Sequence, residues 1–191
     1  MTRYVGIDLA LPGRRRIGYA VIDAESRTYR TRTMANEGEL IQEVLADKPR
    51  LVCIDAPLTL PRRGVNRLIE VRARGLGLRL LPPLMGPMRE LTLFGIKLAE
   101  ELRGLGFTVL EVHPTSSLKI LGLSREEFMS MIKHSINGDA PRNQHEIDAL
   151  IASFTCYLHD IKCTESIVGY EGEGELIIPR RGCGHELLRE L

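Results

Sequence analysis

Residues 4–10 place an acid, Asp8, inside a run that is otherwise apolar, Tyr4-Val-Gly-Ile-Asp-Leu-Ala10. A second apolar run, 17–22, returns after Pro12-Gly13, where proline and glycine suit a type II turn. Aspartate is disfavoured in strands and is seldom buried without a partner. A buried Asp8 therefore needs a positive group against it, above all a metal ion. The competing reading is a frayed strand end or a structural hydrogen bond.

The following segments suggest what surrounds this strand. Strands are predicted at 4–10, 17–23 and 28–34, an antiparallel meander whose third member carries Arg30 and Arg32, as suits an exposed edge. Asn36 caps a helix with Leu40, Ile41, Val44 and Leu45 at helical spacing, closed by Pro49. Residues 51–55, Leu-Val-Cys-Ile-Asp, read as a strand buried on both faces. A short helix near 65–73 follows. The glycines and prolines between 75 and 87 then predict a long irregular loop, a type that tends to carry function. A helix over 89–102 leads to a strand over 107–112, stopped by Pro114. Ser124-Arg-Glu-Glu127 has capping-box spacing and predicts a helix over 125–133. Gly138-Asp-Ala-Pro141 ends it, the strongest helix spans 143–159, and a hairpin at about 166–179 closes the pattern. These elements describe one α/β domain over 1–191, with an arginine-rich insertion at about 62–89.

With 191 residues, 43% of them hydrophobic, the chain can bury a core without disulfides. No apolar run reaches the roughly 20 residues that cross a bilayer, and no secretory signal precedes the first strand. The expectation is a cytoplasmic protein, with no membrane partner and with free thiols at its four cysteines. A zinc set drawn from Cys156, His159, Cys163, Cys183 and His185 lacks the common ligand spacings. The net charge of +1 hides an uneven distribution, because residues 62–89 hold seven arginines and a single carboxylate, Glu70. Such a stripe points to a local anionic partner.

Right-handed crossovers make the first, fourth and fifth strands parallel and give a mixed sheet of order 3-2-1-4-5 flanked by helices. Asp8, Asp55 and Glu111 then approach one another at the carboxyl ends of strands spaced about 4.8 Å apart, where open α/β sheets bind ligands. Acids gathered there repel unless a cation joins them. In the last helix His145 and Asp148 share a face with Ala149 and Ala152, small residues that permit close approach to the sheet. Oxygen donors with an occasional imidazole suit Mg²⁺ or Mn²⁺. Two such ions can activate water and stabilise the leaving oxygen of a phosphodiester.

Each acid also has a plainer role open to it. Asp55 suits a turn before Ala56-Pro57, Glu111 can pair with an arginine of the basic stretch, and Asp148 can be a solvated helical residue. His145 is a ligand, a proton shuttle or a surface residue. Arg14, Arg15, Arg16, Arg62, Arg63 and Arg67 are candidate phosphate contacts, which give affinity with little sequence preference. With aromatics at 5% and no tryptophan, base stacking along a single strand is not favoured.

Gly6-Ile-Asp8, Ile54-Asp-Ala-Pro-Leu58 with Leu60-Pro61, Glu111-Val-His-Pro114, His145-Glu-Ile-Asp-Ala149 and Gly174-Glu-Leu-Ile-Ile-Pro179 come in order along nearly the whole chain. Together they resemble the landmarks of domain of unknown function 429, a family of predicted nucleases assigned an RNase H-like fold. The resemblance implies metal ligands at Asp8, Asp55 and Asp148. His145 with Asp148 is similar to the histidine-x-x-aspartate pair of some RuvC-type Holliday-junction resolvases. Arg67-Leu-Ile-Glu70 and Arg74 resemble a further feature of the family, whereas Glu111 departs from the usual RNase H set. The expectation is a divalent-metal-dependent nuclease acting on DNA or RNA, its oligomeric state open and a homodimer compatible with it. Two rivals stand beside it: a nucleotide-binding module related to actin-like and sugar-kinase ATPases, and a binding protein that keeps the fold without catalysis.

Overall fold

The computed structural model describes residues 2–11, 13 and 16–183. The meander forms as the pattern requires: β1 (Arg3–Asp8), β2 (Ile17–Asp23) and β3 (Thr28–Met34) pair antiparallel in turn. The helix α1 (Glu37–Asp47) is capped by the Asn36 side chain, which accepts from the Glu39 N–H. It leads to β4 (Leu51–Asp55), parallel to β1. After α2 (Leu68–Gly75) and α3 (Met88–Gly104), β5 (Val109–Val112) adds parallel to β4. The expected 3-2-1-4-5 order is therefore present.

The sheet extends beyond it, to eight strands in the order β6-β3-β2-β1-β4-β5-β8-β7. β7 (Thr164–Val168) and β8 (Glu175–Pro179) are the predicted C-terminal hairpin, and β8 joins the sheet parallel to β5. The two-residue β6 (Asn137–Gly138) pairs with β3, so the strand expected at the edge is partly covered. Pro114 does not merely end β5. It opens a further helix, α4 (Pro114–Leu121), whose cap is the His113 side chain accepting from the Ser116 N–H. Proline suits the first helical position, where its missing N–H has no partner to lose. The helices α5 (Arg125–Ser135) and α6 (Gln144–Asp160) complete the chain order, α5 with the predicted capping box between Ser124 and Glu127.

Alternation along the strands sorts side chains to two cores. Tyr4, Ala20, Ile22, Leu51 and Cys53 face α4, α5 and α6, while Val5, Ile7, Val52, Ile54 and Val109 pack with residues of α1 and α3. The cysteines overturn the expectation of free thiols. Cys53 on the α6 face of β4 is bonded to Cys156 of α6, and Cys163 to Cys183. These pairings leave no free cysteine among the described residues and no thiol for zinc; His185 lies outside those residues. No helix among them is long and apolar enough to cross a membrane.

Candidate active site

Two glycines let α6 lie directly on the sheet. A Cβ on Gly6 would fall 2.0 Å from the Ala149 carbonyl oxygen, and one on Gly18 would fall 2.1 Å from that of His145. Any side chain at either position would push the helix away. The close seam is continued by hydrogen bonding, with the Ser153 hydroxyl donating to the Tyr4 carbonyl at 2.7 Å. On α6 the residues 145, 148, 149, 152, 153 and 156 recur at helical spacing and so look onto β1 and β4.

Asp8 and Asp55 are directly opposite in the β1–β4 register, at the last residue of each strand. Both belong to the α6 face, because Tyr4, Gly6 and Asp8 alternate together, as do Leu51, Cys53 and Asp55. From the helix, His145 Nδ1 lies 2.6 Å from Asp8 Oδ2. Asp148 accepts from Arg125 Nε at 2.9 Å and from Gln144 Nε2 at 3.1 Å. The Asp55 side chain has no hydrogen bond or ion pair among the described residues. Burial raises the Asp55 carboxyl well above the usual aspartate range, and the charges of Asp8, Asp148 and Glu111 push it further. Burial likewise lifts Asp8 to about 6, against the opposing pull of His145. Neighbouring aspartate charges thus add to burial in raising the Asp8 and Asp55 carboxyls, with little positive charge to offset them.

Glu111 is set apart by the pleat. It pairs with Ile54 in the β4–β5 register, so it points to the opposite face from Asp55. There the guanidinium of Arg67 uses all five of its N–H groups. Nη2 meets Glu111 Oε1 at 2.5 Å and Glu70 Oε1 at 2.7 Å, Nη1 meets Glu111 Oε2 at 2.7 Å and the Thr59 hydroxyl at 2.8 Å, and Nε meets Glu70 Oε1 at 3.1 Å. The Leu58 N–H adds a bond to Glu111 at 2.8 Å. Glu111 and Arg67, expected as a catalytic acid and a phosphate contact, are therefore placed as partners in a buried network, Arg67 with only 1% of its surface exposed.

The other arginines divide. Arg14 and Arg15 lie outside the described residues. Arg16 is exposed and borders a polar groove over β3 with Arg30, Arg32 and Arg142. Arg62 and Arg63 are exposed on the loop after β4. Next to Asp8 and Asp55 lies a cleft of about 200 Å³ whose apolar wall includes Leu80, Leu81, Met88 and Leu91. The long loop predicted after α2 thus borders the acids.

Of three further residues at or behind this cleft, Arg125 and Glu146 are given no role by the sequence, and His113 reads from it as non-catalytic. Arg125, the first residue of α5, holds Asp148. His113 lines the cleft, and burial pushes its imidazole down to about 4. Glu146, 1% exposed, accepts from the hydroxyls of Thr31 at 3.0 Å and Thr33 at 2.9 Å and from the Arg142 N–H at 2.8 Å. It thereby clamps onto β3 the start of α6, the helix that carries His145 and Asp148. The Asn143-x-x-Glu146 spacing was a readable sign of a fixed helix start.

Among the described residues no three His, Cys, Asp or Glu side chains converge into a group that could hold a metal ion. Asp8 is turned to His145 and Asp148 to Arg125. The donor chemistry nonetheless suits a hard divalent cation, because the half-buried Asp55 carboxylate has no partner among the described residues and feels the charges of Asp8 and Asp148.

No family model matches the chain, and no curated protein matches it. Among solved structures it is similar to T. thermophilus RuvC in complex with a Holliday junction substrate. That likeness has a TM-score of 0.49 at 16% identity and covers 84% of this chain and 96% of that one.

Proposed function

We propose that this chain is a Mg²⁺- or Mn²⁺-dependent nuclease, as the resemblance to domain of unknown function 429 implies. The observation that carries the reading is the pairing of Asp8 with Asp55, in register on the α6 face, with Asp148 on the helix above them. Asp8, Asp55 and Asp148 would hold the ion or ions. When bound, such an ion lowers the pKa of water and stabilises the oxygen that leaves a phosphodiester.

The chain's own residues prepare that chemistry. A cation held there would displace protons from the crowded Asp8 and Asp55 carboxyls, so its binding would strengthen as pH rises through about 6, where Asp8 titrates. Arg125 competes with the cation for Asp148 and neutralises that carboxylate in its absence. His145, whose Nδ1 lies at hydrogen-bonding distance from Asp8, would donate there to the Asp8 carboxylate and accept or return a proton at Nε2. Arg62 and Arg63 supply positive charge on the loop that leaves Asp55, where phosphates of the bound strand would lie.

The test is incubation with single-stranded, duplex and branched DNA and RNA in Mg²⁺ or Mn²⁺, beside Asp8→Asn and Asp148→Asn. The expected result is cleavage by the unchanged protein and none above background by either variant. Absence of cleavage on every substrate, or cleavage that survives both substitutions, overturns the assignment.

A further inference from the structure

Beyond the carboxylate cleft, the loop after β4 and the β7–β8 turn meet to form a second recess of about 440 Å³. It is lined by Arg62, Arg63, Asn66, Tyr170 and Glu173, and its size is that of a small-ligand site. Its two walls are far apart in sequence and are held together by one carboxylate. Glu173, 1% exposed, accepts the backbone N–H groups of Arg62 at 3.0 Å, Leu68 at 2.8 Å and Tyr170 at 3.0 Å. The Thr59 hydroxyl donates to the Glu173 carbonyl, a further tie between loop and turn. Gly169 fits only because it lacks a side chain, since a Cβ there would lie 2.5 Å from that of Glu173. The recess is therefore built in advance of any ligand, which lowers the entropy lost on binding.

Its lining has a specific chemistry. Tyr170 is 56% exposed, an unusual setting for one of the few aromatic rings of the chain. The guanidinium groups of Arg62 and Arg63 form no ion pair or hydrogen bond among the described residues. The side-chain oxygen of Asn66 is buried with no hydrogen-bond partner there. The oxygens of Glu173 are committed to the N–H groups of Arg62, Leu68 and Tyr170, which hold its carboxyl below the usual glutamate range, so the anion would rest on Arg62 and Arg63 rather than on this wall.

We propose that this recess is a subsite for one unpaired nucleotide of the substrate strand, its base on the Tyr170 ring, its phosphate on Arg62 and Arg63, and its base edge within reach of Asn66. The proposal rests on the nuclease reading and adds to it a preference for substrates with a single-stranded stretch beside the cut. Asn66 adjoins Arg67, which borders the carboxylate cleft, so the two recesses lie on either side of one turn of chain. A base in a duplex presents only its edges and cannot lie flat on Tyr170, whereas an unpaired base offers its face.

The test measures binding without cleavage, by anisotropy of a short fluorescein-labelled single-stranded DNA and of a hairpin duplex, both in EDTA. Tyr170→Ala is expected to weaken single-strand binding about tenfold, the scale of one base–aromatic contact, and to leave duplex binding and the melting temperature unchanged. Tyr170→Trp keeps the affinity, and its fluorescence, from the only indole in the protein, is quenched by the single strand. Arg62→Ala and Arg63→Ala each reduce the salt slope of binding by about 0.7. Single-strand binding by Tyr170→Ala equal to that of the unchanged protein, or no quenching of Tyr170→Trp, overturns the subsite. Failure of the unchanged protein to bind the single strand overturns the subsite as well; in each of these cases cleavage of nucleic acid in Mg²⁺ or Mn²⁺ decides the nuclease reading separately.

Discussion

The sheet's carboxyl end carries two clusters of acids, and they are treated in opposite ways. On one face, Glu111 and Glu70 share four of the five donors of Arg67, the fifth going to the Thr59 hydroxyl, and draw further bonds from backbone N–H groups. On the other, Asp8, Asp55 and Asp148 have between them a histidine, a half-buried arginine and one glutamine amide, and the Asp55 carboxylate has none of the three. A buried acid with every lone pair answered is a structural member. One left unanswered beside two others costs stability until a cation is supplied. The contrast separates the fixed frame of the site from the part that is free to bind.

The sharpest way to break this comparison is Arg67→Ala. It strands two buried carboxylates, and the expected loss is about 3–5 kcal/mol, read by urea denaturation. A variant as stable as the unchanged protein would show that Glu111 and Glu70 are as unanswered as the aspartates. Next in size is Gly18→Ala, whose Cβ must move the His145 backbone. A displacement of that order costs about 100-fold in turnover, while Asp8 and Asp55 keep their register; initial rates measure it.

A third change acts in the other direction. The Asp8 carboxyl titrates near 6 in the fold against an ordinary value of 3.8. A raised acid contributes its full stability below the unfolded value, and that stability is lost as pH rises toward the folded one. Metal-free Asp8→Asn should then match the unchanged protein near pH 4 and exceed it at pH 7 by about 1–3 kcal/mol. A lower melting temperature at pH 7 would place Asp8 with the structural acids instead. The smallest effect belongs to Arg125→Gln. Its partly exposed pair with Asp148 contributes less than about 1 kcal/mol, and losing it should enlarge the rise in melting temperature on adding Mg²⁺.

Much of this arrangement was legible in the chain. Asp8 and Asp55 come together because crossover handedness and a buried fourth strand leave little choice of neighbour. His145 and Asp148 followed from helical spacing. Glu111 misled for a local reason: proximity in a sheet is readable from strand order, but the face a residue takes depends on register to the residue. Arg67 misled because seven arginines in one stretch do not announce which one turns inward. The hidden helix after β5 has the same character, since proline ends one element and begins another with equal ease. The Cys53–Cys156 bond and the docking of β8 on β5 join segments whose separation in the chain carries no local sign.

That bond has a consequence for how the protein would respond to damage. It fastens the strand that ends in Asp55 to the helix that carries Asp148, across 103 residues of intervening chain. The exposed stretch between α2 and α3 is the kind of segment a protease enters first. A single cut there divides the polypeptide but not the molecule, because both fragments remain stapled at the centre of the sheet. The nicked protein would migrate as one species until a thiol reductant is added, and as two afterwards, with both carboxylates held together until then.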